Sequence, residues 1–96
     1  MRTKNEFYFS LDKRDLPRVN GDIALWVWYS KLKDYTQRFK ADKYGFVRIS
    51  PRIYEEDIGI SKRQVQRYNK KLEDKGLIRI DKERRGGRTW AGFKLI

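Results

Sequence analysis

Apolar positions recur at three- and four-residue steps in two stretches of the chain and alternate with polar ones in three others. Leu25, Trp28, Tyr29, Leu32, Tyr35 and Phe39 form one helical stripe and predict an amphipathic helix over residues 22–39. Asp22 stands at its start, as an N-cap or first-turn acid. Ile23, Trp26 and Val27 widen the stripe near its beginning. Val65, Tyr68 and Leu72 form a second stripe, over residues 61–75. Ser61 and Gln64 have the spacing of a capping box ahead of it, and Gly76 stands where such a helix stops. Between the two, Ser50-Pro51 is a cap followed by proline at the first helical position, which opens a short helix over 51–58 with Ile53, Tyr54 and Ile58 facing inward. Gly59 then falls in the turn between this helix and the next.

The alternating stretches predict extended chain. Phe7, Phe9 and Leu11 alternate with polar neighbours and suggest an arm or short strand. Residues 12–22, DKRDLPRVNGD, are dense in turn formers and read as a loop, so that 1–21 forms an N-terminal arm and loop. Phe46, Val47 and Ile49 predict a strand over 46–50. Leu77, Ile78 and Ile80, then Thr89, Trp90, Phe93 and Leu95, predict a hairpin over 77–96 with Gly86-Gly87 at its tip. Trp90 and Phe93 are three apart and cannot share a face of a regular strand, so Gly92 is expected to mark a bulge. The whole is one α+β domain, 1–96, with three helices and a small antiparallel sheet.

The third helix carries more than a core face. Opposite Val65, Tyr68 and Leu72 it presents Lys62, Arg63, Gln66, Arg67, Lys70 and Lys71. One side can pack while the other offers bidentate donors to base edges: arginine to guanine, glutamine to adenine. The run Asp57-Ile58-Gly59-Ile60-Ser61-Lys62-Arg63-Gln64-Val65, with Leu72-Glu73-Asp74-Lys75-Gly76-Leu77-Ile78 after it, resembles the helix-turn-helix of winged-helix DNA-binding proteins. Such domains occur in bacterial repressors and at the N-termini of phage and plasmid replication initiators. The resemblance is good over residues 46–96 and loose over the first 45. It implies a winged fold in which the 46–50 strand pairs with the hairpin. It also places the residues after the turn serine, Lys62, Arg63, Gln64, Gln66 and Arg67, in the major groove. Tyr68 and Asn69 depart from the family pattern, which has small or aliphatic residues there.

Charge adds to this picture. The formal net charge is +11, unevenly distributed. Residues 1–60 carry twelve basic and nine acidic side chains, +3; residues 61–96 carry twelve and four, +8. An excess concentrated in the third helix and the hairpin favours a polyanionic partner. Ser61, Lys70, Lys71, Arg84, Arg85 and Arg88 are the expected phosphate contacts, which supply affinity without sequence information.

The remaining chemistry is sparse. There is no cysteine and no histidine, which excludes a disulfide framework and a Cys/His zinc site. Glu55, Glu56 and Asp57 have no nucleophile, histidine or phosphate loop nearby to make them an acid/base or magnesium centre. No enzyme activity, cofactor, metal or small-molecule ligand is expected. No apolar run approaches the length of a membrane span, and the N-terminus lacks a signal-peptide core, in keeping with a cytoplasmic, nucleoid-associated protein.

The expected partner is double-stranded DNA. A single recognition helix reads few base pairs, so a homodimer or several copies on DNA are expected, with Trp26, Phe7 and Phe9 as candidate contacts. The expected function is sequence-specific regulation of transcription. Two alternatives are an origin-binding domain of a phage or plasmid and an interaction module that inhibits a host nucleic-acid enzyme. A structured-RNA binder is a further reading, one that makes less use of an arginine- and glutamine-bearing helix.

Overall fold

A computed structural model describes residues 11–81 and 92–96 of the chain. Phe7, Phe9, Arg84, Arg85, Gly86-Gly87, Arg88 and Trp90, for which the sequence sets expectations, lie outside the described residues. Helix α1 spans Ile23–Arg38, capped by Asp22, whose carboxylate accepts from the Leu25 N–H at 3.1 Å. Strand β1 is Val47–Arg48. Helix α2 is Pro51–Ile58, with the Ser50 hydroxyl accepting from the Arg52 N–H. Helix α3 is Lys62–Asp74, and both halves of the Ser61/Gln64 capping box are formed. Strands β2, Ile78–Asp81, and β3, Gly92–Leu95, complete an antiparallel sheet of order β1-β3-β2.

The architecture is α+β, as the pattern predicts. The strand after the first helix pairs with the return strand of the hairpin, Val47 opposite Phe93. The α2–α3 turn is three residues long and begins with Gly59 at φ 67°, a left-handed conformation that a Cβ would strain.

The core lies between α1, α3 and one face of the sheet. Leu25, Trp28, Tyr29, Leu32 and Tyr35 of α1 are buried and meet Val65 and Leu72 of α3 and Val47, Ile78 and Phe93 of the sheet. Trp28 makes edge contacts with Tyr35 and Tyr54, which lets aromatic rings fill space that few aliphatic residues are present to fill. Ile23 is a correction: it is 57% exposed and does not widen the core stripe. Trp26 is half-buried against the core, and its indole Nε1 donates to the Asp12 carbonyl at 3.0 Å.

Two further expectations change. Residues 12–22 are not an irregular loop. They form two 3-10 turns, Lys13–Asp15 and Pro17–Val19, started by Asp12 accepting from the Arg14 N–H and ended by Asn20 in a left-handed conformation. Asp15 and Val19 are buried there; Asp15 is held by Lys33 and Arg18, which both also lie over the Tyr29 ring. Long-range ion pairing of this kind leaves no periodicity to read.

Gly92 is not a bulge. Its register is unbroken, opposite Asp81 on one side and Arg48 on the other. It is glycine for a different reason. A Cβ there would lie 2.8 Å from the Phe46 Cβ and 3.2 Å from the Arg48 guanidinium. The bare backbone of the central strand lets Arg48 reach across from β1 to Asp81 on β2, forming a buried ion pair that Asp42 extends at 3.2 Å. Backbone N–H groups of Phe46 and Tyr44, and then Arg48, hold the Asp42 carboxyl below its ordinary range.

Candidate nucleic-acid interface

Helix α3 is anchored on one side and open on the other. Val65 and Leu72 face the core, flanked by the partly buried Tyr68 and Asn69. Lys62, Arg63, Gln64, Gln66, Arg67, Lys70 and Lys71 are all exposed. The spacing of 63, 67 and 70 places Arg63, Arg67 and Lys70 in one row along the solvent side, with Lys62 and Gln66 along its edge. Asp74 closes the row and lies 3.9 Å from Lys70. Among the described residues, Lys62, Arg63 and Arg67 have no carboxylate within ion-pair distance, so their donors face solvent uncommitted.

Three of the predicted contacts have other engagements. The Ser61 hydroxyl accepts from the Gln64 N–H at 3.2 Å and serves as the cap. The Gln64 side-chain oxygen accepts from the Ser61 N–H at 3.3 Å, which leaves its amide nitrogen as the group able to meet a base. Lys71 is on the far flank of the helix and turns toward α1, 4.0 Å from Asp22. There it lines an open groove of about 580 Å³ with Val19, Asn20, Leu25, Asp74 and Lys75. The structure therefore brings Lys62, Arg63, Gln66, Arg67 and Lys70 together and sets Lys71 apart.

The orientation of α3 is held by polar contacts that sequence reasoning missed. The Trp28 indole Nε1 donates to Asn69 Oδ1 at 2.8 Å, which ties the inward side of α3 to α1. On the preceding helix, Asp57 faces α1: it accepts from the Tyr35 hydroxyl at 2.9 Å and lies 3.4 Å from Nζ of Lys31. Lys31 is fully buried, placed between Asp57 and Asp34 and above the Tyr35 ring. Burial, reinforced by the bond to Asp57, raises the Tyr35 hydroxyl well above its ordinary pKa. Asp57, one of the three acids grouped in the sequence, is thus turned inward and neutralised. Arg52 lies 3.5 Å from the exposed Glu56.

No group of three or more acidic side chains among the described residues has the arrangement of a metal site. No helix among them is long and apolar enough to cross a membrane. No protein-family profile, curated protein sequence or solved structure matches the chain.

Proposed function

We propose that this chain is a winged helix-turn-helix domain that binds duplex DNA through the outward row of α3. One observation carries the reading. Lys62, Arg63 and Arg67 stand uncommitted beside Gln66 on a single exposed helix face, while most other cations of the described chain are neutralised, even at the cost of burying Lys31 and Arg48. An α-helix of this kind fits the major groove, where guanidinium and amide groups distinguish base pairs by their hydrogen-bond patterns. The order of elements supports it: a capped helix, a three-residue turn, a second capped helix and then a sheet hairpin.

In this reading Arg63, Gln66 and Arg67 meet base edges, Lys62 meets a base or a phosphate, and Lys70 meets a phosphate. The biological role is sequence-specific regulation of transcription. Selection from a random duplex library at physiological salt tests it. An enriched motif is the expected result, and its form separates a regulator from an origin binder: a palindrome fits the first, an array of repeats the second. Recovery of no motif contradicts the reading and favours the protein-interaction alternative.

A further inference from the structure

Two side chains on one side of α2, Tyr54 and Asp57, meet α1. The Tyr54 ring lies edge-on to Trp28, with centroids 5.6 Å apart. Apolar burial is non-directional, so it draws the helices together without fixing where along α1 the end of α2 lies. Asp57 is held differently. Its Oδ2 accepts from the Tyr35 hydroxyl at 2.9 Å and lies 3.4 Å from Nζ of Lys31. Lys31 and Tyr35 are about one turn apart on α1, so a single oxygen is located by two donors along that helix. Lys31 is steadied in turn by its own helix, with Asp34 Oδ2 3.2 Å from the same ammonium. The lysine is fully buried. Stability does not account for it, because an apolar side chain in place of a buried ion pair is often neutral or stabilising. What the cluster supplies is position. Asp57 is the penultimate residue of α2; Gly59 begins a three-residue turn, and the Ser61/Gln64 capping box then opens α3. Few torsions separate the gripped carboxylate from Lys62, Arg63, Gln66 and Arg67.

We infer that Lys31 is a positioning residue for DNA recognition. Buried and touching no base, it fixes the end of α2 and, through the short turn, the angle at which α3 presents Arg63, Gln66 and Arg67. The inference rests on the DNA-binding reading of α3 and gives the buried cluster control of that site's sequence preference, separate from its affinity. Hydrogen bonds to base edges hold only over a few tenths of an ångström, whereas attraction to phosphates falls off slowly with distance. A displaced α3 therefore loses base reading first.

The test uses Lys31→Met, which replaces the ammonium with an unbranched apolar chain. It strands no carboxylate: Arg38 lies 3.1 Å from Asp34 and 3.8 Å from Asp57, and Tyr35 still donates to Asp57. Asp57→Asn loosens the tie from the other side and leaves Lys31 paired with Asp34. Full-length chains carrying each change, and both, are titrated by fluorescence anisotropy against the selected duplex and a scrambled one over a series of salt concentrations, and their melting temperatures are measured. Lys31→Met is expected to melt at or above wild type. It should bind the scrambled duplex within about twofold of wild type and with the same salt slope, since no phosphate contact is lost. Its preference for the selected duplex should fall by about tenfold, within the range that one bidentate base contact supplies. Asp57→Asn should show a similar loss, and the double variant should lose no more than the larger of the two. An unaltered preference overturns the inference. A lower melting temperature for Lys31→Met, equal weakening on both duplexes, or losses that multiply in the double variant overturn it as well. Wild-type protein with no preference between duplexes sinks the α3 reading itself, whereas a wild-type preference kept by both single variants sinks only the positioning role.

Discussion

The indole nitrogen of Trp28 donates a 2.8 Å hydrogen bond to the side-chain oxygen of Asn69, across the packing of α1 on α3. Trp28 is almost fully buried, so its donor has no solvent to turn to. The bond gives Asn69 a purpose on the inward side of α3, where it is partly buried. Replacing Asn69 by leucine strands the donor and should cost about 1–3 kcal/mol, read as a lower urea midpoint. In a double-mutant cycle with Trp28→Phe the two losses should not add, and the coupling should be on the order of 1 kcal/mol. Strict additivity would show the bond to be energetically idle.

Gly92→Ala should also destabilise the fold. The new methyl meets the Phe46 Cβ at 2.8 Å and the Arg48 guanidinium at 3.2 Å, so the strand or the ion pair must shift. Overpacking of this size costs about 1–3 kcal/mol. Thermal melting decides the matter: a variant as stable as wild type would mean that β3 has room the geometry denies.

Tyr35 sets a signature in alkali. Its folded pKa is raised by burial and by the hydrogen bond to Asp57. A group of that kind lends its full stability below the unfolded value, near 10, and loses it as pH rises from there through the folded value. Tyr35→Phe should therefore be less stable than wild type near neutral pH, by about 0.5–1.5 kcal/mol. At pH about 11 the difference should shrink by on the order of 1 kcal/mol, because only the wild-type unfolded chain gains by ionising. Urea unfolding at the two pH values reads this directly. A gap that widens with pH would reverse the assigned sign.

Much of the framework was legible without coordinates. The helical steps of Val65 and Leu72, with the Ser61/Gln64 box and Gly76, located α3 to within a residue at either end. Pro51 and Gly59 bounded α2, and the aromatic stripe located α1. These signals are local: caps, proline, glycine and periodicity act within one turn of the chain. What escaped notice depends on residues distant in sequence. Lys31 reads as a solvent lysine until Asp57, twenty-six positions on, packs against it. Gly92 reads as a bulge until Arg48, from another strand, is seen lying across it. Lys71 reads as one of a basic set, and only the seating of α1 turns it toward Asp22.

Arg67, in the middle of the exposed row of α3, tests the central claim most directly. Wild type and Arg67→Ala should be titrated against the selected duplex and a scrambled duplex at two salt concentrations. A bidentate base contact is worth about 1–3 kcal/mol of discrimination, so the variant should lose roughly five- to 150-fold of its preference for the selected sequence while still binding the scrambled one. Equal losses on both duplexes, or no loss on either, would contradict a base-reading role for this helix.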